Sequence, residues 1–439
     1  MDALAYLDTL PRFTDQGAAA YQPGLERMRA LLATMGEPHQ AYPSVHIAGT
    51  NGKGSTASFL AAIARAAGYR VGLHTSPHLW HVTERMRVDG QPAPMAWLTS
   101  TVARYHDLFE QVRPSFFEAT VALSFLYFAE QQVELAVVEV GLGGRLDATN
   151  VLFPRLALIT SIGLDHTELL GDTLVAIARE KAGIIKPRIP VLTSAVQPEV
   201  QAVVREVAAA QGSPYHLLWD EVGYEVVNEL PITRLNVHTP LHRYEALEIG
   251  LPGRHQVANA LLALRAAELT LPEVTQHPVA VFEGLRDVRR LSGLRGRFDV
   301  LCTSPLVVAD VAHNPDGLEA VLTTFSQYAI TGQRYALWGA LRDKDAATMA
   351  RQLVTAGFAV YVVALESTRA WPAEALIDFV QQAGGRILGA GTVSEGWQLV
   401  QQHLQPTDAI LITGSHQVVA GLPVNLWESK SAAAVCTPR

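Results

Sequence analysis

Short apolar runs alternate along the chain with segments whose apolar positions recur at helical spacing. Pro43 to Ala48 reads as a strand closed by a glycine-rich turn, and Thr56 to Ala67 as an alanine-rich helix. Arg70 to His74, Val133 to Val140, Leu156 to Ser161 and Pro190 to Ser194 read as further strands, with helical spacing over Thr173 to Ile185. Strands separated by helices predict a parallel sheet covered on both faces. From about 213 to 250 the pattern changes. Tyr, Val, Thr and His alternate between proline breaks without helical spacing, which predicts an antiparallel excursion on the first domain. Helical periodicity resumes from Gln256 to Leu269. A second α/β series begins near Phe298. Its predicted strands are Phe298 to Leu301, Leu306 to Val311, Tyr335 to Trp338, Ala359 to Ala364 and Ala409 to Thr413, with helices at Ala346 to Ala356 and Pro372 to Ala383. The basic stretch Arg289 to Arg297, containing Gly293 and Gly296, marks the boundary. The expected organisation is a domain over residues 1–290, a smaller one over 296–439, and a loose tail in the last dozen residues.

Composition narrows this picture. A single core rarely grows past about 250–300 residues, so 439 residues with 49% apolar content predict two cores. The net charge of -8, with no basic tail, argues against nucleic acid as the main partner. It leaves room for a small anionic substrate held by local cations. The start Met1-Asp2-Ala3-Leu4 lacks a basic segment leading into an apolar run, and no apolar stretch approaches the ~20 residues of a membrane span. A cytoplasmic protein is expected. Cys302 and Cys436 are far apart and have no metal-ligand spacing, so they read as reduced structural thiols.

Gly49-Thr50-Asn51-Gly52-Lys53-Gly54-Ser55 falls between a predicted strand and a predicted helix. Glycines let the backbone curl so that several N–H groups face one anion, and the helix start adds its own N–H groups and positive dipole end. Lys53 supplies a mobile charge near the outer phosphates, and Ser55 a hydroxyl for phosphate or metal. A lone glycine turn with an exposed lysine is common. Three glycines, a lysine and a hydroxyl in strand–helix context predict nucleotide binding, although Gly54 between Lys53 and Ser55 departs from the usual spacing. The expected fold class is therefore α/β: an N-terminal P-loop ATPase-like domain with a mostly parallel sheet, and a smaller C-terminal Rossmann-like α/β domain.

A nucleotide site needs Mg²⁺, which prefers carboxylates, hydroxyls, phosphate oxygens and water. Glu139 ends the apolar run Leu135 to Val138, at the strand edge where ligands of open α/β sheets bind, and Gly141 to Asn150 follow at once. The alternative is a surface glutamate before a flexible loop. His166, in Gly163-Leu164-Asp165-His166, follows the neighbouring predicted strand. Ser76, in Thr75-Ser76-Pro77-His78-Leu79, follows another, and by itself reads as a turn serine before proline. Lys181, beside Glu180 on a predicted helix, reads by default as solvent-facing.

Taken together, these stretches resemble the folylpolyglutamate synthase and dihydrofolate synthase family of Mur-type ligases. The matching runs are His46 to Ser55, Thr75 to Leu79, Glu139 to Asn150, Leu164 to His166 and Glu180 to Ile185. They continue with His255-Gln256 and Asn259, Gly296-Arg297-Phe298, Asp310 to Pro315, Asp343-Lys344-Asp345 and Thr413-Gly414-Ser415. The resemblance implies that Lys53 and the loop hold the β- and γ-phosphates of ATP and that Ser76, Glu139 and His166 bind two Mg²⁺ ions. It implies that Lys181 is carbamylated by CO2 and helps position metal. It places His255 and Asn259 near the adenine, Arg297 on phosphate, Asp310 at the ribose, His313 in the glutamate-handling step, and Asp147 and Asn150 on the pterin side. Two departures stand out: Val311 replaces a usual glycine, and His416-Gln417 replace a frequent apolar–aromatic pair.

The implied reaction joins L-glutamate to dihydropteroate and to folates through an acyl phosphate, with a hinge at Gly293 and Gly296 closing one domain over the other. The run Gly24-Leu25-Glu26-Arg27-Met28 looks like that of bifunctional members. A monomer is the family expectation. A cell-wall Mur ligase shares this mechanism but usually carries a nucleotide-sugar domain first, and only 48 residues precede Gly49. A non-catalytic nucleotide-binding module would need the loop but not Arg297, Asp310 and His313.

Overall fold

The computed structural model describes residues 3–11, 24–230, 232–423 and 425–428; the start at Met1-Asp2, the tail beyond 428 and Cys436 lie outside them. Two compact units divide the chain, Met1–Leu294 and Arg295–Arg439.

The strands of the first unit are β1 (Ser44–Ala48), β2 (Val71–His74), β3 (Met86–Val88), β4 (Gln91–Pro92), β5 (Leu135–Glu139), β6 (Leu156–Ile159), β7 (Val191–Thr193) and β8 (Tyr215–Leu217), followed by β9 (Gly223–Asn228), β10 (Thr233–His238) and β11 (Arg243–Ile249). The first eight form one sheet in the order β4-β3-β2-β5-β1-β6-β7-β8. From β2 to β8 all neighbours are parallel, and β3 and β4 close one edge antiparallel. β1, β5 and β6 are buried at every residue, as a sheet covered on both faces requires. On one face the helix Lys53–Ala66 packs with Arg254–Thr270 and Val279–Arg286. Its backbone at Ile63 lies so close to Gly284 that a Cβ there would collide with it. On the other face lies Phe116–Glu130, apolar around most of its circumference and buried along most of its length. No helical spacing marks this segment in the sequence, because a helix apolar on all sides lacks the amphipathic signature.

The excursion over 213–250 is more composite than its alternation predicts. β8 joins the main sheet as a parallel edge strand, a short helix follows at Leu218–Glu221, and only β9, β10 and β11 form a separate antiparallel sheet. A buried polar chain ties this insert to the helix Arg254–Thr270. Arg265 donates to Glu221 at 2.6 Å and to Glu268 at 3.1 Å, while Tyr244 and Thr239 donate to Glu268 at 3.0 and 2.7 Å.

The second unit holds β12 (Asp299–Thr303), β13 (Leu306–Ala309), β14 (Arg334–Trp338), β15 (Phe358–Val363), β16 (Ile387–Gly391) and β17 (Ala409–Thr413), in the order β12-β13-β17-β14-β15-β16. Only β12 runs antiparallel to its neighbour. β16 escapes the sequence pattern because two of its five residues are glycine and it lies at an edge, partly exposed. Cys302 is buried.

Candidate active site

The sheet order places the chemistry. β1 lies between β5 and β6, and β2 lies on the far side of β5. The phosphate loop after β1, Glu139 at the end of β5, Gly163 to His166 after β6 and Ser76 after β2 therefore share the carboxyl edge of four adjacent strands. That edge is where open α/β sheets bind ligands.

The helix after the loop starts at Lys53, three residues before the sequence pattern predicts, because Gly52 adopts a left-handed cap conformation with φ +86°. Lys53, Gly54 and Ser55 thus form the first helical turn, with their N–H groups free of intrahelical partners. The end of β6 braces the loop. Thr50 N–H donates to Ser161 O at 2.7 Å, and Thr160 and Ser161 hydroxyls donate to Asn51 O at 2.8 and 3.1 Å. A Cβ at Gly49 would strike the Thr160 hydroxyl, and one at Gly52 the Asn259 carbonyl oxygen. Lys53 Nζ folds back on Gly49 O and Thr50 O, each at 3.1 Å.

Lys181 overturns its default reading as a solvent-facing helical lysine. It is 5% exposed, and its Nζ donates to Gly49 O at 2.8 Å. Burial, reinforced by the Lys53 charge and opposed by Asp165 and Asp147, pulls this amine down to about 7. A large fraction of it is uncharged near neutral pH.

Glu139 is buried and accepts the Ser76 N–H at 3.1 Å. Ser76 and Glu139 are thus brought together. His166 stands on its own loop with φ +51°, its N–H bonded to Asp165 at 2.9 Å. Among the described residues no three His, Cys, Asp or Glu side chains are grouped as a metal site. The donors that do meet here, a buried carboxylate beside a serine, are oxygen ligands of the kind Mg²⁺ takes alongside phosphate oxygens and water. His166 is the one nitrogen donor in the expected set.

Asp147 and Asn150, expected on the pterin side, hold the loop after β5 together, and Asn150 also ties it to Gly183. Asp147 Oδ2 accepts the N–H groups of Gly141 and Leu142 at 3.0 and 2.9 Å. Its Oδ1 accepts the N–H of Thr149 at 3.0 Å and the Thr149 hydroxyl at 2.5 Å. Burial raises this carboxyl, and those four bonds pull it back. The Thr149 oxygen also meets Nε2 of fully buried His46 at 2.8 Å. Burial holds that imidazole down at about 3, so the ring is neutral. With the threonine proton on Asp147, the network assigns the ring proton to Nε2. Asn150 Nδ2 donates to the carbonyls of Arg145 and Gly183, and only its Oδ1 is without a partner.

Asn259 packs beneath the phosphate loop. Its Nδ2 donates to Gln256 at 3.0 Å, and Gln256 in turn meets His255 at 3.1 Å. Residues without an assigned role in the sequence also organise the edge. Glu84 accepts the N–H groups of Leu79, Trp80 and His81 at 2.9–3.0 Å, fixing the turn after Ser76. His46 and Thr149 lie inside quoted runs, but only their burial reveals their use.

In the second unit, Asp310 is buried. Its two oxygens accept the N–H groups of Phe298 at 2.7 Å and Ala312 at 2.8 Å. Burial raises it to about 6 against the pull of Arg297. His313 Nδ1 lies 3.0 Å from Val311 O, and its ring centroid is 6.1 Å from that of His416. Lys344 is buried 3.6 Å from Asp343, which also pairs with Arg369 at 2.9 Å.

A phosphate loop at a switch point, a buried carboxylate and lysine beside it, and a second α/β unit define an ATP-dependent carbon–nitrogen ligase of the Mur type. The Mur ligase middle domain matches residues 47–267, and the glutamate ligase domain of Mur ligases matches 296–416. A folylpolyglutamate synthase of Lacticaseibacillus casei is 33% identical over 98% of this chain and 99% of its own length. Escherichia coli FolC in complex with DHPP and ADP superposes with a TM-score of 0.84 at 32% identity, covering 95% of each chain. A bifunctional folylpolyglutamate synthase/dihydrofolate synthase with Mn, AMPPNP and L-glutamate bound gives 0.81 at 30% identity, again over 95% of each. The chain belongs to the folylpolyglutamate synthase/dihydrofolate synthase family. No helix among the described residues is long and apolar enough to cross a membrane.

Proposed function

We propose that this protein is a cytoplasmic bifunctional enzyme that adds L-glutamate to dihydropteroate and to folates, working as a monomer without nucleic acid. The observation that carries the reading is the convergence of the braced phosphate loop, Lys53, buried Glu139 and buried Lys181 on one sheet edge. Support for the substrates comes from relatives that bear both activities in their names and from a relative holding a nucleotide and L-glutamate.

A substrate carboxylate oxygen attacks the γ-phosphorus of ATP in line, and ADP leaves. The loop N–H groups and Lys53, released from Gly49 O and Thr50 O, stabilise the charge on the transferring group. The glutamate amine then attacks the acyl carbon. The tetrahedral adduct loses a proton and expels phosphate, leaving the amide. Arg297 supplies a further cation to the phosphate, and His313 acts on the glutamate side. Asp310 anchors the backbone around Arg297 and stands next to the ribose, while His255 and Asn259 flank the adenine. Asp147 and Asn150 shape the substrate-side loop from within.

Ser76, Glu139 and His166 are the residues proposed to hold two Mg²⁺ ions, which when bound neutralise phosphate charge. Uncharged Lys181 can add CO2 and release a proton, giving a carbamate anion at the phosphate loop.

The test is ADP release by the purified protein with Mg²⁺, ATP and glutamate, given dihydropteroate or tetrahydrofolate separately. Release with both establishes two activities, and release with one names the branch. ATP binding without release in either case refutes the proposal.

A further inference from the structure

We propose that Asp299, acting with Asp310, is a positioning residue for Arg297: the two buried carboxylates clamp the Gly296-Arg297-Phe298 turn from which the guanidinium projects. The proposal rests on the reading of Arg297 as a cation for the reacting phosphate.

Arg297 is flanked by two left-handed residues, Gly296 at φ +73° and Phe298 at φ +45°. Glycine adopts this conformation freely. A bulky aromatic residue does not, and such an outlier persists only where its surroundings over-determine it. The surroundings here are specific. Asp299 Oδ2 accepts the Gly296 N–H at 2.5 Å, and Asp310 Oδ2 accepts the Phe298 N–H at 2.7 Å. Val311 N–H closes the loop onto Gly296 O at 3.1 Å. The Phe298 ring is fully buried and stacks on Tyr328 at 5.8 Å. Both peptide N–H groups that bracket Arg297 in this turn are therefore held by carboxylates, and the guanidinium bonds back to Gly296 O at 3.0 Å.

The two carboxylates are close because Asp299 opens β12 opposite Ala309, the residue before Asp310. They are 5% and 4% exposed. Burying two like charges side by side opposes folding unless each is well bonded, and apolar residues would close a simple hairpin at lower cost. The arrangement instead gives a rigid mount to one side chain, the kind of support that a phosphate-reading arginine needs, since a displacement of about 1 Å costs about a hundredfold in rate.

The experiment is a double-mutant cycle on glutamate-dependent ADP release with the full chain. Arg297→Ala is expected to lower kcat/KM by about a hundredfold, chiefly in kcat. Asp299→Ala is expected to lower it by at least about tenfold in the native background and by less than about twofold when Arg297 is already alanine. Asp299→Asn keeps an oxygen for the Gly296 N–H and recovers most of the activity. If Asp299→Ala does not fold, the same cycle with Asp299→Ser gives the coupling. Additive losses, or an active Asp299→Ala beside a crippled Arg297→Ala, overturn the clamp. So does a loss that only tracks a smaller folded fraction in thermal unfolding. An unimpaired Arg297→Ala enzyme overturns instead the phosphate role on which the clamp rests.

Discussion

Replacing Thr149 by valine keeps the branched shape and removes one hydroxyl. That hydroxyl bridges β1 and the loop after β5: it donates to Asp147 Oδ1 and accepts from His46 Nε2. All three side chains are buried. Losing a hydrogen bond to a charged group costs about 1.5–3 kcal/mol, and leaving a buried N–H unpaired costs about 1–3 kcal/mol. Both losses come from one atom, so they are not simply summed, and ~2–4 kcal/mol is expected. At roughly 2–4 °C per kcal/mol for units of this size, Tm of the first unit falls by on the order of 5–10 °C. Thermal unfolding followed by calorimetry reads this directly. Thr149→Ser, which keeps the hydroxyl, should lose only a small part. A shift below about 1 °C for Thr149→Val would refute the load assigned to this network. Because Asp147 also holds the N–H groups of Gly141 and Leu142, the same variant should raise KM for the pterin substrate more than KM for ATP.

Lys53→Ala should reduce kcat for ADP release by at least about a hundredfold, with full activity in a steady-state coupled assay contradicting its role. Glu139→Gln should raise the Mg²⁺ concentration needed for half-maximal rate, and an unchanged Mg²⁺ titration would exclude Glu139 from metal binding. Lys181 titrates at about 7 in the fold against an ordinary 10.5. The unfolded chain therefore holds that proton between these values, and stability rises with pH through that window. In CO2-free buffer, the stability of the native protein relative to Lys181→Met should climb by up to about 1.4 kcal/mol per pH unit from about 7 to 10.5 and be flat below. No slope in denaturant titrations at pH 7 and 9 would contradict the depressed value. Glu268→Ala should destabilise the first unit by ~3 kcal/mol, since it removes one acidic partner from buried Arg265. Unchanged urea unfolding would show that the insert is held by other contacts.

Local chemistry was legible along the chain; spatial use was not. The loop Gly49 to Ser55 announces itself because phosphate binding needs glycines, a lysine and a hydroxyl within a few consecutive residues, and β5 and β17 because strands buried on both faces read as near-continuous apolar runs. Even there the start of the helix moved to Lys53, set by one left-handed glycine. β16 and the helix Phe116–Glu130 stayed hidden for opposite reasons, one with too few apolar residues and the other with too many to show a face. The resemblance supplied the residues that no local pattern singles out, Lys181 and His313 among them.

The sequence by itself determined an α/β chain with two cores, a nucleotide loop and the order of its family motifs, because each is written in neighbouring residues. Only the tertiary structure decided that Lys181 is buried against Gly49, that Asp147 is linked through Thr149 to His46 on β1, and that Asp299 and Asp310 hold the turn around Arg297. Each of these depends on packing between separate segments, and a charge passes from solvated to desolvated only when those segments meet.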